Sequence, residues 1–176
     1  SIERLQIRDG TAIFERKGRE PLTISEYTGE IEANSLMGPA KGNGDFVIGG
    51  AKRHIRFALG KIEGGKTRIK ALLEDAQLAL RLDADGVAAL GEDSSERFDG
   101  TFTLVGNTPL GAQEKVQLPL RITSKAKISG QVLTLDDLAV VLGQEPQPLT
   151  MAGRGTVRLG AHPAYDLTLA ARSYDF

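Results

Sequence analysis

Residues 44–60 read GDFVIGGAKRHIRFALG. Phe46 and Ile48 stand two apart, and Ile55, Phe57 and Leu59 repeat that spacing beyond the Gly49-Gly50 pair. A period of two puts such side chains on one face of a strand. Consecutive glycines supply the positive φ that a tight hairpin turn demands. The residues between include Asp45, His54 and Arg56, so the opposite face can meet water. The stretch predicts two antiparallel strands with one dry side.

The same spacing recurs outward along the chain. It appears at Leu78, Leu80 and Leu82, at Phe102 and Leu104, and at Leu118, Leu120 and Ile122. It returns at Val157 and Leu159 and at Leu167, Leu169 and Ala171. Turn signals punctuate these runs: Asp9-Gly10, Gly42-Asn43-Gly44, Gly49-Gly50, Gly64-Gly65, Asp85-Gly86 and Ser129-Gly130. The pattern predicts a mainly β chain of roughly a dozen strands, an extended, curved antiparallel sheet built of hairpins with few or no helices. Thr134–Leu142 carries a helix N-cap candidate, Thr134, with Asp137 three residues on. Arg68–Leu80 contains good helix formers. Both are read as paired strands in preference, about turns at Asp136-Asp137 and Glu74-Asp75. Gly42–Leu59 and Ala152–Leu169 echo each other as Gly-rich hairpins, which suggests a sheet lengthened by repetition.

Composition narrows the function classes. With 22 basic and 23 acidic residues the net charge is -1, so no electrostatic case exists for nucleic acid. Hydrophobic content of 40% argues against disorder, while 5% aromatics and no Trp argue against a sugar-stacking or aromatic-anchored surface. The absence of Cys removes disulfides, thiol catalysis and thiolate metal sites. No apolar run approaches the roughly 20 residues that span a bilayer. The chain opens at Ser1 directly into a patterned segment, and the expectation is one β-rich domain over residues 1–176, excised from a much longer protein.

Catalytic motifs are weak in context. Gly60-Lys-Ile-Glu-Gly-Gly-Lys-Thr67 satisfies the phosphate-loop pattern, with Lys66 and Thr67 at the phosphate and magnesium positions. That chemistry needs a buried parallel strand before the loop and a long helix after it. The preceding strand alternates instead, so a hairpin loop with solvated lysines is expected. His54 and His162 are far apart and lack metal-ligand spacing. No Gly-x-Ser-x-Gly elbow occurs. Asp83/Asp85 and Asp136/Asp137 fall where Asp favours turns. Asn107–Gly111 reads as a plain connection. No cofactor and no enzymatic activity are expected.

Within the first sixty residues, Leu5–Gly10, Ser35-Leu36-Met37-Gly38-Pro39, Gly44–Gly50 and Ile55–Gly60 follow one another in an order that resembles the AsmA-like family. Leu5–Gly10 matches its strand ending in Asp-Gly, and Ser35-Leu36-Met37-Gly38-Pro39 its Ser-Leu-x-Gly-Pro turn. Gly44–Gly50 and Ile55–Gly60 match the Gly-rich strand and its partner. Phe98–Phe102 is similar to the family's Phe-x-Gly strand, and Leu149–Phe176 to its closing hairpin. The family's N-terminal membrane helix has no counterpart here. The resemblance implies a periplasmic piece of an inner-membrane-anchored envelope protein of diderm bacteria, related to bridge-like lipid-transfer proteins and concerned with outer-membrane biogenesis. The implied partners are phospholipid or another acyl-chain lipid, the rest of the parent chain and other envelope proteins. A non-enzymatic structural or outer-membrane-protein assembly module is the alternative. The candidate lipid-binding face comprises Phe46, Ile48, Ile55, Phe57, Leu59, Leu78, Leu80, Leu82, Phe102, Leu104, Leu118, Leu120, Leu167 and Leu169.

Overall fold

A computed structural model describes residues 4–15, 21–35, 38–90, 96–109, 117–144, 146–159 and 163–171. Alternation and glycine turns produce eleven strands: β1 (Leu5–Phe14), β2 (Leu22–Ala33), β3 (Ala40–Ile48), β4 (Ala51–Leu59), β5 (Lys66–Asp75), β6 (Leu80–Leu90), β7 (Glu96–Pro109), β8 (Gln117–Ser129), β9 (Val132–Leu142), β10 (Leu149–Arg158) and β11 (Ala164–Ala171). No helix occurs among the described residues. The strands form one sheet in sequence order, each antiparallel to its neighbours, and β1 does not close onto β11.

Strand elements touch only their sheet neighbours. No second layer therefore covers either face among the described residues. The accessible area is 12632 Å2, against about 8,300 Å2 for a compact monomer of this mass. No side chain is fully buried among those described, and the well-buried apolar residues are Phe46, Ala126, Leu135, Leu138 and Val140. Cohesion rests on the continuous backbone ladder and on side chains packing along one face of it.

Gly49-Gly50 and Gly64-Gly65 form tight turns with positive φ at both residues, and Gly130 turns β8 into β9. Other glycine signals are corrected. Gly42-Asn43-Gly44 lies inside β3 and Asp85-Gly86 inside β6. Gly29 pairs with Gly44 and Gly86 with Gly100, so these glycines give close backbone approach rather than reversal. Asp9-Gly10 lies within β1 at a register shift, with Asp9 at φ 52°. Arg68–Leu80 is indeed strand, but β5 runs through Glu74-Asp75 and reverses over 76–79. Asp136-Asp137 does not reverse the chain either. It is a bulge within β9, Asp137 having φ 51°. Asn107 continues β7 opposite Pro119, while residues 110–111 of the expected loop lie outside the described residues. The two echoing segments are hairpin partners β3–β4 and β10–β11.

Candidate binding face

Directly opposed residues share a face, so the register traces rows across the sheet. One row runs Ile7, Gly29, Gly44, Ile55, Leu73, Leu82, Leu104, Ile122, Val140, Met151 and Ala171, touching every strand. It contains no polar side chain. The next row runs Leu5, Ile31, Gly42, Phe57, Ala71, Ala84, Phe102 and Ser124, and Leu138, Gly153 and Leu169 continue it beyond the β8–β9 bulge. The opposite face carries rows such as Glu32, Lys41, Ala58, Lys70, Asp85, Thr101, Lys125 and Asp136. Eleven strands in register thus separate an apolar face from a charged one.

All the candidate residues except Leu78 project from strands onto this apolar face. Leu78 sits in the turn between β5 and β6 and is 58% exposed. The strand period breaks there because Asp75 caps the turn, accepting from Gln77 N and Leu78 N at 3.1 Å. Residues the sequence did not single out complete the surface: Leu73, Phe98, Ile128, Leu135, Leu138 and Val140. Leu73 was masked by Leu72, which faces the charged side opposite Asp83. Leu135 and Leu138 were masked by the bulge between them, which lets residues three apart share a face. Only pairing register could have revealed them.

Four glycines of the apolar face are roofed by neighbouring rings. A Cβ on Gly42 would lie 2.7 Å from Phe57, one on Gly44 2.8 Å from Tyr27, and one on Gly86 or Gly100 2.8 Å from Phe98. These rings fill what would otherwise be notches in the surface. Tyr27 donates its hydroxyl to Asn43 O at 3.2 Å, and burial pushes its pKa up.

Polar groups on this face are few among the described residues, and several are hydrogen-bonded. Arg53 Nε donates to Asp75 Oδ2 at 3.2 Å and Arg53 Nη1 to Ile48 O at 3.2 Å. Ser124 Oγ donates to Asp136 O at 2.8 Å beside the bulge. Thr67 Oγ1 donates to Gly60 O at 2.9 Å. That bond, with Glu63 and Lys66 bonding each other's backbone at 2.9 and 3.0 Å, makes the Gly60–Thr67 motif a hairpin leading into antiparallel β5.

The charged face is laced by cross-strand pairs. Lys41 meets Glu32 at 2.8 Å, and Asp85 meets both Arg68 at 3.2 Å and Lys70 at 3.3 Å. The Asp85 carboxyl is partly desolvated, but hydrogen bonds from Lys70 and Arg68 hold its pKa below the usual value. A shallow depression of about 690 Å3 crosses β2–β7 here, lined by Glu30, Lys41, Arg56, Lys70, Asp83 and Thr101 among others. It lies mainly over charged-face side chains and backbone, on the side of the sheet opposite the apolar rows. His54 is also on this side, its Nδ1 2.8 Å from Asp45 Oδ1. His162 lies outside the described residues. No group of three or more metal-ligating side chains occurs among the described residues. Comparison with protein-family models, curated proteins and solved structures gives no match.

Proposed function

We propose that the chain holds or conducts acyl-chain lipid on its apolar face, as a groove segment of a longer periplasmic envelope protein that handles phospholipid for outer-membrane biogenesis. The supporting observation is the unbroken apolar row from Ile7 to Ala171, with no covering layer among the described residues. Eleven strands at about 4.8 Å spacing extend it over roughly 48 Å. An uncovered apolar surface of that extent calls for an occupant. Each 100 Å2 of apolar area covered is worth about 2.5 kcal/mol without any directional contact. Binding of this kind selects for hydrocarbon and not for a headgroup.

A structural or assembly module working through protein contacts is the second reading, and the edges of β1 and β11 left open among the described strands favour it. Native mass spectrometry and lipid extraction of the purified chain separate the two. Lipid is expected to co-purify with the wild type. Phe57→Glu and Phe102→Glu are expected to lose it while keeping the β-sheet circular dichroism. A wild type free of lipid and detergent, together with variants that unfold, would show that the face is packing surface and end the lipid reading.

A further inference from the structure

Three strands of the sheet carry one residue more than alternation allows. Ile7 and Gly10 pair with Gly29 and Tyr27 of the apolar face, yet both Arg8 and Asp9 lie between them. In the same way Ser25 and Glu26 lie between Ile24 and Tyr27, and Asp136 and Asp137 between Leu135 and Leu138. Without Asp9, Glu26 and Asp137, the period of two along β1, β2 and β9 would be unbroken. These three residues stand at φ 52°, 54° and 51°, in the left-handed region that non-glycine residues seldom enter. Such backbone persists where the surrounding structure holds it, and it clusters at sites of function. Asp9 N donates to Thr28 Oγ1 at 3.2 Å, and Asp136 O accepts from Ser124 Oγ at 2.8 Å.

Each added residue falls between apolar-face positions, on the charged side. In β9 both members face that side, Asp136 opposite Lys125 and Asp137 paired with the same lysine. Two residues on one face against one across the ladder need more room there, so the strand bends and the other face closes. Burial follows this bend. Phe46, Ala126, Leu135, Leu138 and Val140 are the well-buried apolar side chains of the described strands. Phe46 sits opposite the β2 bulge, between Val47, the partner of Ser25, and Asp45, the partner of Thr28. Leu135 and Leu138 flank the β9 bulge, Ala126 is the partner of Leu135, and Val140 is the next residue of that face. No second layer covers them among the described residues, so curvature is what shields them. Between the two zones β3 to β8 pair without a register shift, and the depression there lies on the charged side.

We infer, resting on the lipid reading above, that the bulges build two seats for an acyl chain on the apolar face, one around Phe46 and one around Leu135 and Leu138. A chain in a concave seat is covered on more sides than on the regular stretch between, and affinity grows with the apolar area covered. Hydrocarbon suits these seats because β3 and β9 are each paired along both edges, which engages their backbone groups in ladders. An extended polypeptide would bring N–H and C=O groups that find no partner there.

The chain has no tryptophan, so a single introduced indole reports on its own position, and dibromostearate quenches it on contact. Phe46→Trp and Leu138→Trp are expected to be quenched more strongly than Leu82→Trp, which lies on the regular stretch opposite Leu73 and Leu104. Deletion of Asp137 is expected to weaken dibromostearate binding roughly ten-fold by calorimetric titration, with β-sheet circular dichroism retained. Asp137→Gly keeps the residue count and is expected to rescue that loss, since the extra residue and not its side chain makes the bend. If the deletion fails to fold, the three indoles decide. Equal quenching at positions 46, 82 and 138, or wild-type affinity in a folded deletion variant, would overturn the two seats while leaving the lipid reading in place. A wild type that takes up no dibromostearate would end both.

Discussion

Arg53 and Asp75 form an ion pair on the apolar face, Nε to Oδ2 at 3.2 Å, with Asp75 7% exposed. The pair is placed where β3 and β5 end and β4 begins. Arg53 also donates to Ile48 O, and Asp75 accepts two backbone N–H groups from the turn that follows β5. One carboxylate thus pins two reversals of the chain.

Asp75→Ala leaves Arg53 without its carboxylate and two turn amides without an acceptor. The expected loss is about 2–3 kcal/mol, read as a lower urea midpoint with an unchanged slope. Asp75→Asn keeps an acceptor for the turn and should lose less. A variant as stable as wild type would show the pair to be incidental.

Two glycine classes should respond oppositely to substitution. Gly86→Ala sets a Cβ 2.5 Å from Asp99 O and 2.7 Å from Gly100 Cα, and backbone there has nowhere to move. A loss of about 1–3 kcal/mol is expected. Gly64 has φ +55° with nothing within 4 Å of its added Cβ. It precedes Gly65 in a tight hairpin, where Asn-Gly is favoured. Gly64→Asn should be neutral to within about 0.5 kcal/mol in thermal or urea unfolding.

Asp137 stands at φ 51° on the charged side, with Oδ2 2.5 Å from Lys125 Nζ. Asp137→Val forces a β-branched residue into the left-handed region and should cost about 1–2 kcal/mol. Asp137→Gly relaxes the same backbone and should retain wild-type stability. Equal urea midpoints for the two variants would remove the bulge conformation as the cause.

Glu30 joins β1 to β2. The hydrogen bond from Gln6 Nε2, then that from Arg4, holds its carboxyl below the usual 4.5. A depressed pKa means the charged form favours the paired state. Its contribution is complete above the ordinary carboxylate pKa and is lost as pH falls through the lower folded value. NMR titration should place the Glu30 midpoint below 4.5. β1 amides should lose protection on acidification, and Glu30→Gln should remove the part of that loss due to this carboxyl.

Most strands were legible because period-two alternation and paired positive-φ glycines are local signals. Gly49-Gly50 and Gly64-Gly65 were read as turns and are turns. Gly42, Gly44 and Gly86 carried the same composition but lie in strands, since a glycine serves equally to reverse a chain and to admit an opposing backbone or ring. Asp85-Gly86 and Asp136-Asp137 misled for a related reason: Asp suits both turns and bulges.

Sequence alone determined the β class and the two-sided character of each strand, because alternation is written residue by residue. Tertiary structure decided how the strands line up. Register put Ile7, Ile55, Leu104 and Met151 in one row and made the apolar sides of eleven strands a single surface. It also left that surface uncovered, and β1 and β11 each paired along one edge only, among the described strands. Pairing joins residues distant along the chain, and no local pattern encodes which partner a free face or edge will meet.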